Sequence, residues 1–327
     1  MLDWPAVDAL SEVLRVIRLD SAIFFHAEFS EPWRLVSPNA QALAPELTDR
    51  TGHVIIYHLL CEGRAYVELV TGRRVALTAG DLITFPHGHE HLLGNGSTSS
   101  SFHAGTALRD ARANVLEAVQ AGGGGSRSRF ICGFLVCDPQ LAHGFLAGLP
   151  AFIHVNLRDD ASGQWLENSL RFSVAEGAQR RAGSDAMLAK LSEALFAETV
   201  RRYAGRLPEG ERGWCAAARD PQLGQVLTLM HQRPAHPWTA AELAREAGLS
   251  RSGLSERFRQ VLDESPMAYL TRWRLTLAAR ALSSTSRSAA QIAQEVGYES
   301  EAAFNRAFKR QYGLPPARYR RERHNAT

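Results

Sequence analysis

Two groups of residues in this chain of 327 have the types and spacing that chemistry requires. The larger lies near the C-terminus, on two short segments predicted as helices, roughly 251–262 and 301–312. One side of the first would bury Leu254 and Phe258, and one side of the second Phe304 and Phe308. The opposite sides carry Arg251, Ser252, Ser255, Glu256 and Arg259 in one segment. In the other they carry Glu301, Ala302, Asn305, Arg306 and Lys309, with Ser300 before and Arg310 after. Arginine pairs bidentately with guanine O6 and N7, and asparagine with adenine, so Arg306 and Asn305 suit the edges of base pairs. Arg251, Arg259, Lys309 and Arg310 suit phosphate oxygens, which position a protein without reading sequence. Glu256 and Glu301 repel phosphates, so they either accept from cytosine N4 or face solvent. The smaller group is His58, His89, His91, His103 and Cys132. Imidazole nitrogens with a thiolate, as His58, His91 and Cys132 would provide, are a donor set for zinc or copper(I). The same residues are equally readable as the polar lining of an effector pocket without metal, and Cys132 as a redox-sensitive thiol or a small buried apolar residue.

The elements that must position the first group come in a near-repeat. Residues 241–270 read AELAREAGLSRSGLSERFRQVLDESPMAYL, and residues 290–319 read AQIAQEVGYESEAAFNRAFKRQYGLPPARY. Leu243, Ala244 and Gly248 recur as Ile292, Ala293 and Gly297, while Leu254, Phe258, Pro266 and Tyr269 recur as Phe304, Phe308, Pro316 and Tyr319. Each copy has the anatomy of a helix-turn-helix: a small alanine where helices cross, a glycine at the turn, and Ser250 or Ser300 as the cap of the second helix. Between them, residues 266–282 predict one helix about 25 Å long. That length suits holding two reading helices in successive major grooves, roughly 34 Å apart.

Charge supports a polyanionic partner. Residues 216–327 carry 17 Lys and Arg against 10 Asp and Glu, and the preceding 215 carry 20 against 24. The excess of cations is thus confined to one end. With 45% apolar and 22% charged residues the chain reads as globular, and no apolar run is long enough to span a membrane. Asp3 and Asp8 stand where a secretory signal would be basic, and four irregularly spaced cysteines form no disulfide framework. Both features point to the reducing cytoplasm.

The elements around the second group are short and strand-like. They are expected at 23–29, 54–60, 65–70, 74–77, 82–85, 102–108 and 130–136, with a helix over 5–19 before them and a glycine-rich loop at 121–128. After about residue 140 strands are expected to stop, giving way to helices at 164–176 and 185–203. The latter carries two apolar stripes, Leu188, Leu191 and Leu195 beside Phe196, Val200 and Tyr203, which serve either one core or a core and a second copy of the chain. The expected organisation is α+β: an N-terminal domain over 1–203, a linker over 204–213 and an all-α domain over 214–327.

The C-terminal segments WTAAELAREAGLS, PMAYLTRWRLTLAARAL and AQIAQEVGYESEAAFNRAFKRQYGLPPARYR resemble the AraC/XylS family of bacterial transcription regulators. Gly80, Pro86, Gly88, His91 and Asn95 fit the second motif of the cupin β-barrel, so the N-terminal half is similar to the cupin-type sensor domain of one AraC subfamily. The resemblance implies double-stranded promoter DNA as partner, RNA polymerase if the protein activates, a small-molecule effector, a homodimer, and no enzymatic activity. It also implies that His91 corresponds to a metal ligand of metal-bearing cupins. The first cupin motif is not intact, because its glutamate position holds Ile56. Relatives of the reactive-chlorine-sensing type respond through cysteines; one such position is Ser21 here, while Cys132 matches a cysteine-glycine pair. A cupin enzyme carrying a DNA-targeting module, or a constitutive DNA-binding protein whose barrel only dimerises, are the alternatives.

Overall fold

The computed structural model describes residues 8–17, 19–42, 52–97, 101–103, 119–138, 144–178 and 182–325, with only the backbone of 20–25, 119, 177–178, 185 and 324–325. It divides into two compact units. One comprises 19–137 and 150–203. The other comprises 1–18, 138–149 and 204–327.

The first unit is built from two facing sheets. Strands β1 (Leu19–Ser30), β3 (His53–Glu62), β6 (Asp81–Phe85), β9 (Val119–Gly122), β10 (Arg127–Cys137) and β11 (Ile153–Asn156) form one, in the order β11-β6-β3-β10-β1-β9. Strands β2 (Trp33–Ser37), β4 (Arg64–Leu69), β5 (Arg74–Thr78), β7 (His91–Asn95) and β8 (Phe102–His103) form the other, in the order β5-β4-β7-β2-β8. Side chains alternate across a strand, so every second residue faces inward. Val54, Ile56 and Leu60 of β3 thereby meet Phe130, Phe134 and Val136 of β10 and Val67 and Leu93 of the opposite sheet in one core. Burying a side chain of this size contributes about 1.5–3 kcal/mol, so the filled interior is the principal stabilising feature.

β3 is buried along both faces. Tyr57, which points away from the barrel interior, hydrogen-bonds Ser192 of the helix Ser184–Arg206 at 2.7 Å. The neighbouring strand makes room for this phenol by placing Gly133 beside it: a Cβ there would lie 2.4 Å from the Tyr57 oxygen.

Strands are expected to end near residue 140, but β11 follows at 153–156, where Ile153 and Val155 are buried and pair with β6. Its four residues, IHVN, are too few to register as a periodic signal. β2, β7 and β9 also escaped the pattern, and the strand expected over 102–108 is described only at 102–103.

The second unit is helical. Helix α1 (Ala9–Ile17) opens the chain; α2 (Ala161–Ala178) and most of α3 (Ser184–Arg206) belong to the barrel unit. Then follow α4 (Trp214–Arg219), α5 (Pro221–Gln232), α6 (Ala240–Glu246), α7 (Arg251–Leu262), α8 (Pro266–Ser284), α9 (Ala289–Glu295), α10 (Glu301–Tyr312) and α11 (Pro316–Asn325). Leu10, Val13 and Ile17 of α1 are buried, and α1 packs against α5. In the segment before residue 150, Phe145 lies edge-on to Trp214, with ring centroids 5.2 Å apart. These apolar contacts group α1 and 138–149 with the C-terminal helices, which the sequence boundary at 203 does not anticipate. Of the α3 stripes, Leu188, Leu191, Leu195, Phe196 and Val200 are buried and Tyr203 is half-buried.

Candidate nucleic-acid interface and barrel site

The two helix-turn-helix units, α6–α7 and α9–α10, are built by the same local rules. Gly248 and Gly297 adopt φ values of 67° and 88°, the left-handed region that ends a helix. The amide of the next residue then reaches back over the turn, Leu249 to the Ala244 carbonyl and Tyr298 to the Ala293 carbonyl, both at 2.8 Å. Ser250 Oγ accepts from the Gly253 amide at 3.0 Å and Ser300 Oγ from the Ala303 amide at 3.4 Å, starting α7 and α10 at the residues expected. Leu254 and Phe258 are fully buried, as are Phe304 and Phe308. Helix α8 joins the units and runs 19 residues, about 28 Å. Leu275, Ala278, Ala279 and Leu282 on it pack with Ile292, Phe304 and Phe308.

The arginines of this unit are engaged to different degrees. Arg257 points inward, to Asp220 and Gln222. Arg274 donates to the carbonyls of Pro234, His236 and Gly297, and Arg272 pairs with Glu264 at 2.6 Å. These hold helices together. By contrast, Arg251 and Arg259 of α7 and Arg306, Lys309 and Arg310 of α10 are exposed, and their side chains make no hydrogen bond or ion pair among the described residues. Asn305 is half-buried and equally uncommitted, while Glu301 and Ala302 are exposed beside it. On α7 the short polar groups are engaged locally: Ser252 with Ser250 at 3.2 Å, Ser255 donating to the Arg251 carbonyl at 2.9 Å, and Glu256 accepting from Gln260 at 3.2 Å.

The barrel site is set by strand register. Cys132 and His58 are direct cross-strand partners on β10 and β3, both facing inward, and His91 reaches them from β7 of the other sheet. His58 Nδ1 lies 2.9 Å from Cys132 Sγ, and His58 Nε2 lies 2.8 Å from His91 Nε2. His91 Nδ1 lies 2.8 Å from the His89 carbonyl oxygen. A carbonyl only accepts, so His91 Nδ1–H donates to it and the neutral His91 presents Nε2 as an acceptor. His58 therefore donates from Nε2 to His91 and accepts at Nδ1 from the Cys132 thiol. Every proton in this line has one direction.

Burial pushes the His58 imidazole well below its usual range, with His91 adding to the effect, and burial lowers His91 to about 4. Burial also raises the Cys132 thiol well above its ordinary value, so the thiol stays protonated and lacks the thiolate character that reactivity needs. All four cysteines are buried and unbridged. The Ser21 side chain lies outside the described residues.

The three expected metal donors come together, but not around a point. The nitrogen of His58 that faces Cys132 is not the one that faces His91, so one ion cannot take all three. No group of three His, Cys, Asp or Glu among the described residues is placed to hold a metal ion. Tetrahedral zinc or copper(I) needs convergent donors.

Phe85 stacks flat on His91, with ring centroids 3.7 Å apart, and is among the residues lining a cleft of about 530 Å³. Asn39, Gln41, Leu69, His87 and His89 also line this cleft. Of the expected pocket residues, His89 is at the cleft and His58, His91 and Cys132 lie inside the barrel. His103 is exposed on β8 and does not line it. Phe85 and Asn39 were not foreseen, although the clustered PHGHEH pattern at 86–91 marks the spot.

A packed barrel and, in the same chain, a pair of helix-turn-helix units with unengaged outward faces define a two-domain DNA-binding protein. Residues 8–205 match the family described as Cupin and residues 243–322 the family described as Helix-turn-helix domain. The chain belongs to the cupin family over its N-terminal part and is an AraC-type transcription regulator. It is similar along 97% of its length, at 29% identity, to the whole of the HTH-type transcriptional regulator AlkR of Acinetobacter baylyi. At 28% identity, 96% of it aligns with 97% of RclR of Escherichia coli, described as an RCS-specific HTH-type transcriptional activator. The crystal structure of an AraC-type regulator from Chromobacterium violaceum covers 33% of this chain and 96% of its own at 29% identity, with a TM-score of 0.32. No helix among the described residues is long and apolar enough to cross a membrane.

Proposed function

We propose that this regulator acts in the cytoplasm as a homodimer that reads promoter DNA through α7 and α10 and responds to a small molecule bound by its barrel unit. The observation that carries the DNA reading is the sorting of cations: those on the outward faces of α7 and α10 are uncommitted, whereas inward ones are spent on helix packing. Arg306 and Asn305 read base edges, and Arg251, Arg259, Lys309 and Arg310 contact phosphates. Ser252, Ser255, Glu256, Ser300, Glu301 and Ala302 complete the facing surface. If the protein activates, RNA polymerase is a further partner.

The effector reading rests on the cleft bounded by Phe85 and His89. Both residues touch the His91 end of the buried line, so a ligand displacing either acts on the His91 ring. A response requires only that the ligand bind two states unequally. A non-enzymatic role is favoured by Ile56, a fully buried apolar residue at the position where a cupin metal site has its carboxylate. Footprinting of the full chain on its own promoter, with and without small molecules that co-purify with it in native mass spectrometry, tests both halves. Protection over two successive helical turns that changes with the ligand is expected. Protection of one turn only removes the paired reading, and ligand-independent protection removes the sensor.

A further inference from the structure

Residues 138–149 follow β10 in the chain yet belong to the helical unit, and their two described parts, Asp138 and 144–149, grip it at different places. The later part holds the first helix-turn-helix. Phe145, Leu146 and Leu149 are buried, and Phe145 lies against Trp214 of α4. Gly148 approaches the start of α4 so closely that a Cβ there would lie 3.1 Å from the Trp214 amide nitrogen. From α4 the contact continues to the first reading helix. The Gly213 amide donates to the Val261 carbonyl of α7 at 2.8 Å. The Trp214 indole donates to the Tyr269 hydroxyl, and the Tyr269 ring stands edge-on to Phe258 of α7.

Asp138 holds the second. Its carboxylate oxygens face the two terminal nitrogens of Arg323 on α11 at 3.1 and 3.2 Å. A forked pair of this kind fixes direction as well as distance. Both side chains are largely covered, so salt screens the pair less than it would an exposed one. Arg323 lies over the Tyr319 ring, which packs on Phe308 and Tyr312 of α10. Burial raises the Tyr312 and Tyr319 phenols, and the Asp138 charge adds to both effects, which sets the carboxylate beside the end of the second reading helix. On its other side Asp138 follows directly on Cys137, which is held in β10 by pairing with Leu19 and His53.

We propose that Asp138 is a positioning residue for DNA recognition: through Arg323 it fixes the second reading helix relative to the first and so sets the half-site spacing the protein accepts. The proposal rests on the paired reading by α7 and α10, and on neither the effector nor the individual base contacts. Helix α8 joins the two units, and its Arg274 bridges them by donating to the Pro234 and His236 carbonyls on one side and to Gly297 on the other. Both of these ties run through α8 itself. A third tie from a separate stretch of chain opposes bending and twisting of α8, because either motion draws Arg323 away from a carboxylate whose backbone is held elsewhere. The consequence for DNA is geometric. One extra base pair between half-sites moves the second groove by about 3.4 Å, which a free hinge absorbs and a braced one does not.

The test titrates the full-length protein, at one fixed salt concentration, with three kinds of duplex: its two-turn promoter site, the same site lengthened or shortened by one base pair between half-sites, and a single half-site. Wild type is expected to bind the altered spacings at least ~10-fold more weakly than the native one. Asp138→Asn is expected to reduce that ratio by at least ~3-fold while half-site affinity stays within ~2-fold of wild type. Arg323→Gln removes the other partner and is expected to do the same, and the double variant no more than either alone. A ratio that Asp138→Asn leaves intact, or two substitutions whose effects add, overturns the brace. Equal loss on half-site and full site also overturns it, since the pair would then serve local stability alone. A wild type indifferent to spacing overturns the paired reading itself, and the brace with it.

Discussion

The barrel interior and the outward faces of α7 and α10 use polar side chains in opposite ways. Inside the barrel, His58, His91 and Cys132 are desolvated and each donor has an acceptor, so the line is complete without a ligand. On α10, the side chains of Asn305 and Arg306 have no hydrogen-bond partner among the described residues. Exchanging water for a base edge costs little there, whereas the barrel line must be broken before anything else can bind to it. The contrast teaches that the clustering of polar residues does not by itself mark a binding surface. The discriminating property is unspent hydrogen-bonding capacity in reach of solvent.

The sharpest way to break this contrast is acid. An unfolded histidine takes a proton near 6.5, while folded His91 does so only at about 4. Below pH 6.5 the unfolded chain therefore binds more protons, and barrel stability falls as the pH drops from 6.5 to about 4. His91 alone accounts for roughly 3 kcal/mol of that loss, with His58 acting in the same direction. Hydrogen exchange at the amides of β3, β7 and β10 should lose protection across this window. A flat profile would show that the line is solvated and the contrast false.

A smaller effect is expected on the exposed side. Arg306→Ala should weaken binding to the native site by 10–100-fold, about 1–3 kcal/mol, with less loss on random duplex and no change in melting temperature. Titration of both duplexes at one fixed salt concentration decides this. Equal loss on the two would make Arg306 a phosphate contact and leave base reading to Asn305.

The smallest expected effect separates the two helix-turn-helix units themselves. A Cβ at Gly297 would sit 2.8 Å from the Ala235 backbone, while one at Gly248 meets open space. Gly248→Ala should cost about 1 kcal/mol, the penalty for a side chain in the left-handed region. Gly297→Ala should cost about 1 kcal/mol more, because backbone atoms cannot move aside as a flexible side chain can. Thermal unfolding of the two variants in parallel measures the difference. Equal shifts would mean that the second turn relaxes freely.

The helix-turn-helix units were legible down to single residues: α7 and α10 begin and end where the caps and the buried pairs Leu254–Phe258 and Phe304–Phe308 placed them. Those signals are local, each contained within a turn or two of helix. The barrel was legible in part. His91 in its motif and His58 on an inward face could be identified, but β11 could not, because four residues that find their partner in β6 carry no periodicity of their own. The cleft wall was equally hidden, since Asn39, Leu69 and Phe85 are brought together by three separate connections.

Sequence by itself determined which residues cap, turn and bury each helix, and hence that the C-terminal part presents two reading helices with cations outward. Tertiary structure alone decided that His58 turns one nitrogen to Cys132 and the other to His91, making a hydrogen-bonded line instead of a metal centre. It also buried Leu188, Leu195, Phe196 and Val200 of α3 while leaving Trp165 and Phe172 of α2 exposed. Helix signals reside in neighbours a few residues apart, whereas the direction of a ring and the face left uncovered depend on strands and helices distant in the chain.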